Sequence, residues 1–372
     1  MGDNEYLYNE IKVEEENKGS TIMEKPFNPA LIDIDTKSPT ISLVIERLQQ
    51  SPPEIDLFPE FQRSDNLWDE QKQSQLIESI LIKFPLPVFY FDGTDDNKWL
   101  VVDGLQRLSS LRNFIINKTL KLTGLEFLND LNGYGFDDLS RSSQRDLMQT
   151  QIIAYIIKPG TPIDVKYNIF KRINTGGLVL EPQEIRHALN QGIPAKFIAE
   201  LADLEEFKKA TGYKIDSSRM LDREFVTRFV SFYIKGTSSY SPDLDSFLNS
   251  SMAQILSLSE KKRYEIKKRF INAMNIALYI FGDWAFRKAD LYPERRKPIN
   301  KALFEVWSVS FAKLNEQECE IVKRRKDTLF KEFLKLMKDN DFINSITSST
   351  SDKQRVVKRF EAIDKLIKGV IS

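Results

Sequence analysis

Three short blocks carry most of the residues that could do chemistry. The first is VVDGLQR at 101–107. A run of branched apolar residues ends in Asp-Gly and passes at once into a helical pattern. Gly104 allows a sharp turn and close approach of a ligand. A new helix offers free N–H groups and the positive end of its dipole to an anion. Arg107, one turn in, can add a bidentate phosphate contact. Asp103 can hold a metal ion or orient a water beside a phosphate chain. The same residues also have a purely structural use, with Asp103 capping the helix and Arg107 pairing with a nearby carboxylate. The second block is Phe61-Gln62-Arg63, ahead of Trp68-Asp69. Gln62 and Arg63 lie on irregular chain just before a helix, able to reach a shared site or to stand as surface polars on an edge strand. The third is FKRINTGG at 170–177, where Arg172 and Asn174 precede paired glycines. Such glycines suit a helix C-cap, or a loop whose N–H groups cradle an anion. Glu184, Arg186 and His187 follow on the next helix.

The elements that must position these blocks are legible from period and punctuation. Residues 40–50 read as a short helix with Leu43, Val44 and Leu48 on one face. A Pro-punctuated extended stretch follows. The run from Asp69 to Phe84 reads as a helix with Asp69 as N-cap and Leu76, Ile77, Ile80 and Leu81 in one stripe, ended by Pro85 and Pro87. Residues 88–93 and 99–104 read as strands, 105–116 as helix, 151–159 as strand and 162–174 as helix. Beyond about residue 190 the strand signals fade, and helical periods fill the rest. The reading is therefore α+β, with an acidic tail over 1–35, a mixed domain over 36–190 and a helical domain over 191–372.

Composition removes many alternatives. The 372 residues hold 54 Lys+Arg and 54 Asp+Glu, so a chain-wide polycation is excluded. The balance hides an asymmetry: residues 1–252 carry 28 Lys+Arg against 38 Asp+Glu, and residues 253–372 carry 26 against 16. The basic clusters at 261–270, 294–298 and 323–326 suit an acidic partner or nucleic acid, or simply solvated helix faces. One Cys (Cys319) and one His (His187) exclude a disulfide framework, multi-cysteine metal sites and any site needing two imidazoles. Cys319 sits among acids, a setting that disfavours nucleophilic use. There is no phosphate-binding GxxxxGK[ST], zincin helix or nucleophile elbow. The start is polar and acidic, and no apolar run reaches the ~20 residues of a membrane span. A cytoplasmic location without membrane partners is expected.

Taken together, FQRSDNLW (61–68), LIESILIKFPLP (76–87), VVDGLQRLSSL (101–111) and FKRINTGGLVLEPQEIR (170–186) resemble, in order and spacing, the N-terminal domain of GmrSD-type modification-dependent restriction enzymes, of the ParB/sulfiredoxin-like superfamily. The resemblance covers roughly residues 36–190. It implies a nucleotide-handling site centred on the family's DGQQR block, with Mg²⁺ and a nucleoside triphosphate as cofactors. Carried onto this sequence, it implies Asp103, Gln106 and Arg107 as catalytic residues and Asp103 as the metal ligand. Gln62, Arg63, Gly104, Arg107, Arg172 and Asn174 then hold the phosphates. Position 105 is Leu where the family has Gln, which weighs towards binding over hydrolysis. The family's restriction enzymes add an HNH nuclease domain, and a single His cannot furnish one. Three roles follow as expectations: a nucleotide-binding, NTP-hydrolysing component of a prokaryotic restriction or anti-phage system; a non-catalytic adaptor or specificity subunit binding nucleotide or DNA; or a nickase using Asp103 and Arg107. A separate nuclease or ATPase chain is the expected partner.

Overall fold

The computed structural model describes residues 12–14, 28–57, 68–95, 98–173, 180–241, 243–289 and 297–372. The chain divides into two compact units, one of residues 27–189 and one that joins residues 1–26 to residues 190–372.

In the 27–189 unit the elements run β1 (Ile34–Lys37), α1 (Ile41–Gln49), β2 (Ile55–Asp56), α2 (Glu70–Leu81), β3 (Phe89–Asp95), β4 (Lys98–Asp103), α3 (Leu105–Leu111), α4 (Arg141–Gln149), β5 (Ala154–Ile157), α5 (Ile163–Ile173) and α6 (Pro182–Leu189). The strands form one sheet in the order β1-β5-β3-β4-β2. β3 pairs antiparallel with β4 and parallel with β5, so the central strand joins a hairpin to a crossover. One face of the sheet presents Phe89, Phe91, Trp99, Val101, Ala154 and Ile156 to a core shared with α1, α2, α3 and α4. The helix starts follow the capping rule: Thr40 and Asp69 accept the Leu43 and Lys72 N–H groups at 3.4 and 2.8 Å. The expected stripe of α1 shifts by a residue, because Ile41, Val44 and Ile45 are buried while Leu43 is exposed. β1 lies across the boundary expected at residue 35; its short alternating IDTK carries too little apolar content to announce a strand.

The second unit is helical: α7 (Ile193–Ala202), α8 (Glu205–Ala210), α9 (Leu221–Lys235), α10 (Leu244–Ser257), α11 (Glu260–Phe281), α12 (Lys301–Lys313), α13 (Glu316–Arg324), α14 (Lys326–Leu336), α15 (Asn340–Thr347) and α16 (Lys353–Ile371). α12 is its axis: residues 302–312 are all buried, with Trp307 packed against Phe281, Phe311 and Phe333. A lone carboxylate in that apolar helix, Glu305, is held by two guanidinium groups. Arg228 of α9 donates to Glu305 Oε1 and Arg359 of α16 to Oε2, both at 2.6 Å. Arg228 also meets Glu224, which Lys301 reaches at 3.1 Å. The described part of the acidic N-terminal stretch belongs to this unit. Val13 pairs with Ile299, Glu14 accepts a hydrogen bond from Asn300 at 2.6 Å and Lys288 meets Glu14 at 3.0 Å. An isolated acidic segment with one matching partner strand gives no periodic signal, so sequence reading takes it for a tail.

Candidate functional site

The junction between β4 and α3 is built around Gly104. Its φ is +105°, and a Cβ there would stand 2.4 Å from Phe89 Cδ1. The position therefore excludes a side chain twice over, by backbone conformation and by contact. Gly104→Ala is expected to cost at least about 1–3 kcal/mol through overpacking alone, read as a lower urea midpoint with unchanged slope. α3 has only seven residues before the chain widens into a π-turn at Arg112–Ile116. The helical run as a whole spans 105–116, as the sequence predicts.

Arg107 reaches back across this junction rather than outwards. The residue is 7% exposed, and its guanidinium lies 4.1 Å from the centroid of the Phe89 ring. It donates to the carbonyl oxygens of Pro87 and Val88 and, at 2.8 Å, to Asp103 Oδ2. Burial lowers its pKa, opposed by the Asp103 charge. Planar, five-donor geometry suits this fork. Arg107 fastens the proline segment after α2 to the end of β4, the structural use that the sequence left open.

Gln106 makes the next fastening. Its Oε1 accepts from the Trp68 N–H at 3.2 Å, while the Trp68 carbonyl accepts from Gln73 of α2 at 2.8 Å. The Trp68 end of the second block is thereby brought to the first block. Glu78 does similar work inside α2: its carboxylate accepts the N–H groups of Glu126, Phe127 and Leu128. Burial raises its pKa, but the three backbone donors outweigh that and hold it below the usual range.

Asp103 is the group that stays available. Its side chain is 33% exposed; Arg107 occupies Oδ2, and among the described residues Oδ1 has no hydrogen-bond partner. It stands opposite Tyr90 in β3, across a register shift from the Phe91–Val101 pair, and Tyr90 stands opposite Tyr155 in β5; the two tyrosines share the sheet face away from α1–α4. Two residues along that face, Asp92 meets Lys166 of α5 at 3.1 Å, with both side chains buried and Thr94 bonded to each. This pin between β3 and α5 was not read from the sequence, where Lys166 looks like an ordinary helix-surface lysine. Arg172, in the last turn of α5, is exposed and makes no hydrogen bond or ion pair with the described residues. Gln62, Arg63 and Asn174 lie outside the described residues. Glu184, Arg186 and His187 are buried on α6, where Glu184 accepts the Glu181 N–H at 2.7 Å as a helix-start fastening.

Among the described residues no three His, Cys, Asp or Glu side chains gather into a metal site. A single open carboxylate oxygen does fit Mg²⁺, which is commonly bound through one or two carboxylates and substrate phosphates. Cys319 is buried, with Asn272 Nδ2 at 3.4 Å. No described helix is long and apolar enough to cross a membrane.

A small α+β domain with a clamped strand-to-helix carboxylate, tied to a Trp-bearing entry segment and a proline turn, defines the class of the 27–189 unit. Residues 44–191 match the family model described as GmrSD restriction endonuclease, N-terminal domain. No curated protein and no solved structure matches the chain.

Proposed function

We infer that the chain serves a restriction or anti-phage defence system as its nucleotide-binding component, the nucleotide being received beside Asp103. The observation that carries this reading is the divided carboxylate: one oxygen fixed by Arg107, the other without a partner among the described residues, on a side chain one third exposed. A fixed carboxylate with one open oxygen can bind a phosphate-borne Mg²⁺ or orient a water, at little reorganisation cost. Mg²⁺, when bound, supplies charge neutralisation to the phosphates, with Asp103 as its protein ligand. Arg172, exposed at the end of α5, and Arg63, Gln62 and Asn174 are the proposed phosphate contacts. Gln106 and Arg107 act as positioning residues that hold the blocks in place. The reading keeps the ParB/sulfiredoxin-like domain type and a separate nuclease or ATPase chain as partner.

One observation favours binding without turnover. Leu105, where the family pattern has Gln, is partly buried and packs against the core under α3. No amide stands at that position to aim a water, so the protein works as a nucleotide-gated adaptor in this second reading.

The test is to incubate the full chain with each ribonucleoside triphosphate and Mg²⁺ and to follow phosphate release and equilibrium binding. Hydrolysis that falls by about 10²-fold or more in Asp103→Ala supports the first reading; saturable binding without release supports the second. Absence of both ends the nucleotide reading. Plasmid nicking that vanishes in Asp103→Ala would instead make the chain a nickase.

A further inference from the structure

The sheet row that carries Asp103 holds a feature the phosphate contacts do not use. Register places Thr36, Tyr155, Tyr90 and Asp103 in one row across β1, β5, β3 and β4; Thr36, Tyr155 and Tyr90 share a face, and Asp103 joins them across a register shift that brings its charge to bear on the Tyr90 phenol. The row spans three inter-strand spacings, each about 4.8 Å. The two tyrosines are half-buried, their ring centroids 5.2 Å apart and their planes tilted by 43°. They are therefore not stacked face to face, and neither ring closes the other. Among the described residues neither hydroxyl has a hydrogen-bond partner. Burial, then Tyr155, then the Asp103 charge raise the pKa of the Tyr90 phenol. The next row along that face is occupied by the buried Lys166–Asp92 pair.

We propose that Tyr90 and Tyr155 form a stacking platform for the base of the nucleotide whose phosphates lie beside Asp103. The inference rests on the nucleotide reading and names its second half. Aromatic side chains on neighbouring strands of an open sheet face are a recurrent way of seating nucleobases, because every base has a π-face and the ring pair loses little entropy on binding. Tyr155 lies two strand spacings from Asp103, about 10 Å, which separates a base from the phosphates by the length of a sugar. The unpartnered hydroxyls can then bond heteroatoms on the base edge.

The platform is tested by calorimetric titration of the full chain with Mg²⁺ and the non-hydrolysable imido analogues of ATP and GTP, and in parallel with inorganic tripolyphosphate. The variants are Tyr90→Leu and Tyr155→Leu, which keep apolar volume but lose the ring, and Tyr90→Phe and Tyr155→Phe, which keep it. Thermal midpoints serve as the folding control. The expected result is a loss of nucleotide affinity of about 5–150-fold in each Leu variant, with tripolyphosphate binding unchanged and the Phe variants close to wild type. Leu variants that bind nucleotide as tightly as wild type, or that lose tripolyphosphate in equal measure, overturn the platform. A wild-type chain that binds tripolyphosphate as tightly as the nucleotides also overturns it, while leaving the phosphate site standing. A wild-type chain that binds none of the probes ends the nucleotide reading itself.

Discussion

Replacing Glu305 with Ala is expected to destabilise the helical unit by at least about 3–5 kcal/mol, the range for breaking a buried ion pair by removing one partner. Glu305 is fully buried, and two guanidinium groups, themselves almost fully buried, depend on its two oxygens. Removing the carboxylate leaves both cations in the interior with their donors unmet. Arg359 would retain the carbonyls of Thr350 and Ser345, and Arg228 would retain Glu224. Neither set neutralises the second positive charge. The measurement is a urea titration read at the midpoint, with the slope as a check on two-state behaviour. A change within the ~0.5 kcal/mol typical of surface substitutions would mean the network contributes nothing. A triple variant, Glu305→Leu with Arg228→Leu and Arg359→Met, tests the cause. If uncompensated charge is what hurts, the triple variant is more stable than the single one, since a packed apolar replacement removes all the buried charges together.

Arg107→Ala is expected to cost about 2–4 kcal/mol through the lost bonds and the carbonyls left bare. Three acceptors meet that one guanidinium: Pro87 O, Val88 O and Asp103 Oδ2. Phe89 loses its cation partner as well. Arg107→Lys is expected to recover little, because an ammonium on a flexible stem cannot reproduce a planar fork. This result separates two roles that the sequence could not. An arginine held in reserve for phosphate would leave the ligand-free stability unchanged and weaken only ligand binding. An arginine that fastens the junction lowers the unfolding midpoint with no ligand present.

That contrast also marks where the sequence stops being informative. The order of elements around the site is readable because each depends on local rules. Asp69 caps, Pro85 and Pro87 stop a helix, and apolar runs at 88–93 and 99–104 make adjacent strands. Gly104 is equally readable, since a turn from strand to helix with no room for Cβ leaves few other choices. The partners of polar groups are not readable, because they are set by chain segments far apart in sequence. Gln106 and Arg107 have the types expected of phosphate ligands, yet their described contacts are mostly backbone groups 19 to 38 residues away. Lys166 and Asp92, 74 residues apart, look like surface charges until the sheet and α5 bury them together. Glu305 carried the one available hint, a carboxylate inside an otherwise apolar helical run. The tyrosine row was hidden for a different reason: it exists only in the register between strands, and no single strand displays it.

The discontinuous make-up of the helical unit has a practical corollary. Residues 27–189 interrupt that unit like a clause set inside a sentence, with its opening words at Lys12–Glu14 and its remainder from Asn190 onwards. A fragment started at Asn190 would therefore be missing its own first phrase: the backbone partner of Ile299 and the carboxylate that Asn300 and Lys288 share. Dissecting this chain into independently expressed halves calls for excision and rejoining, Pro26 to Asn190 through a spacer, rather than a single cut.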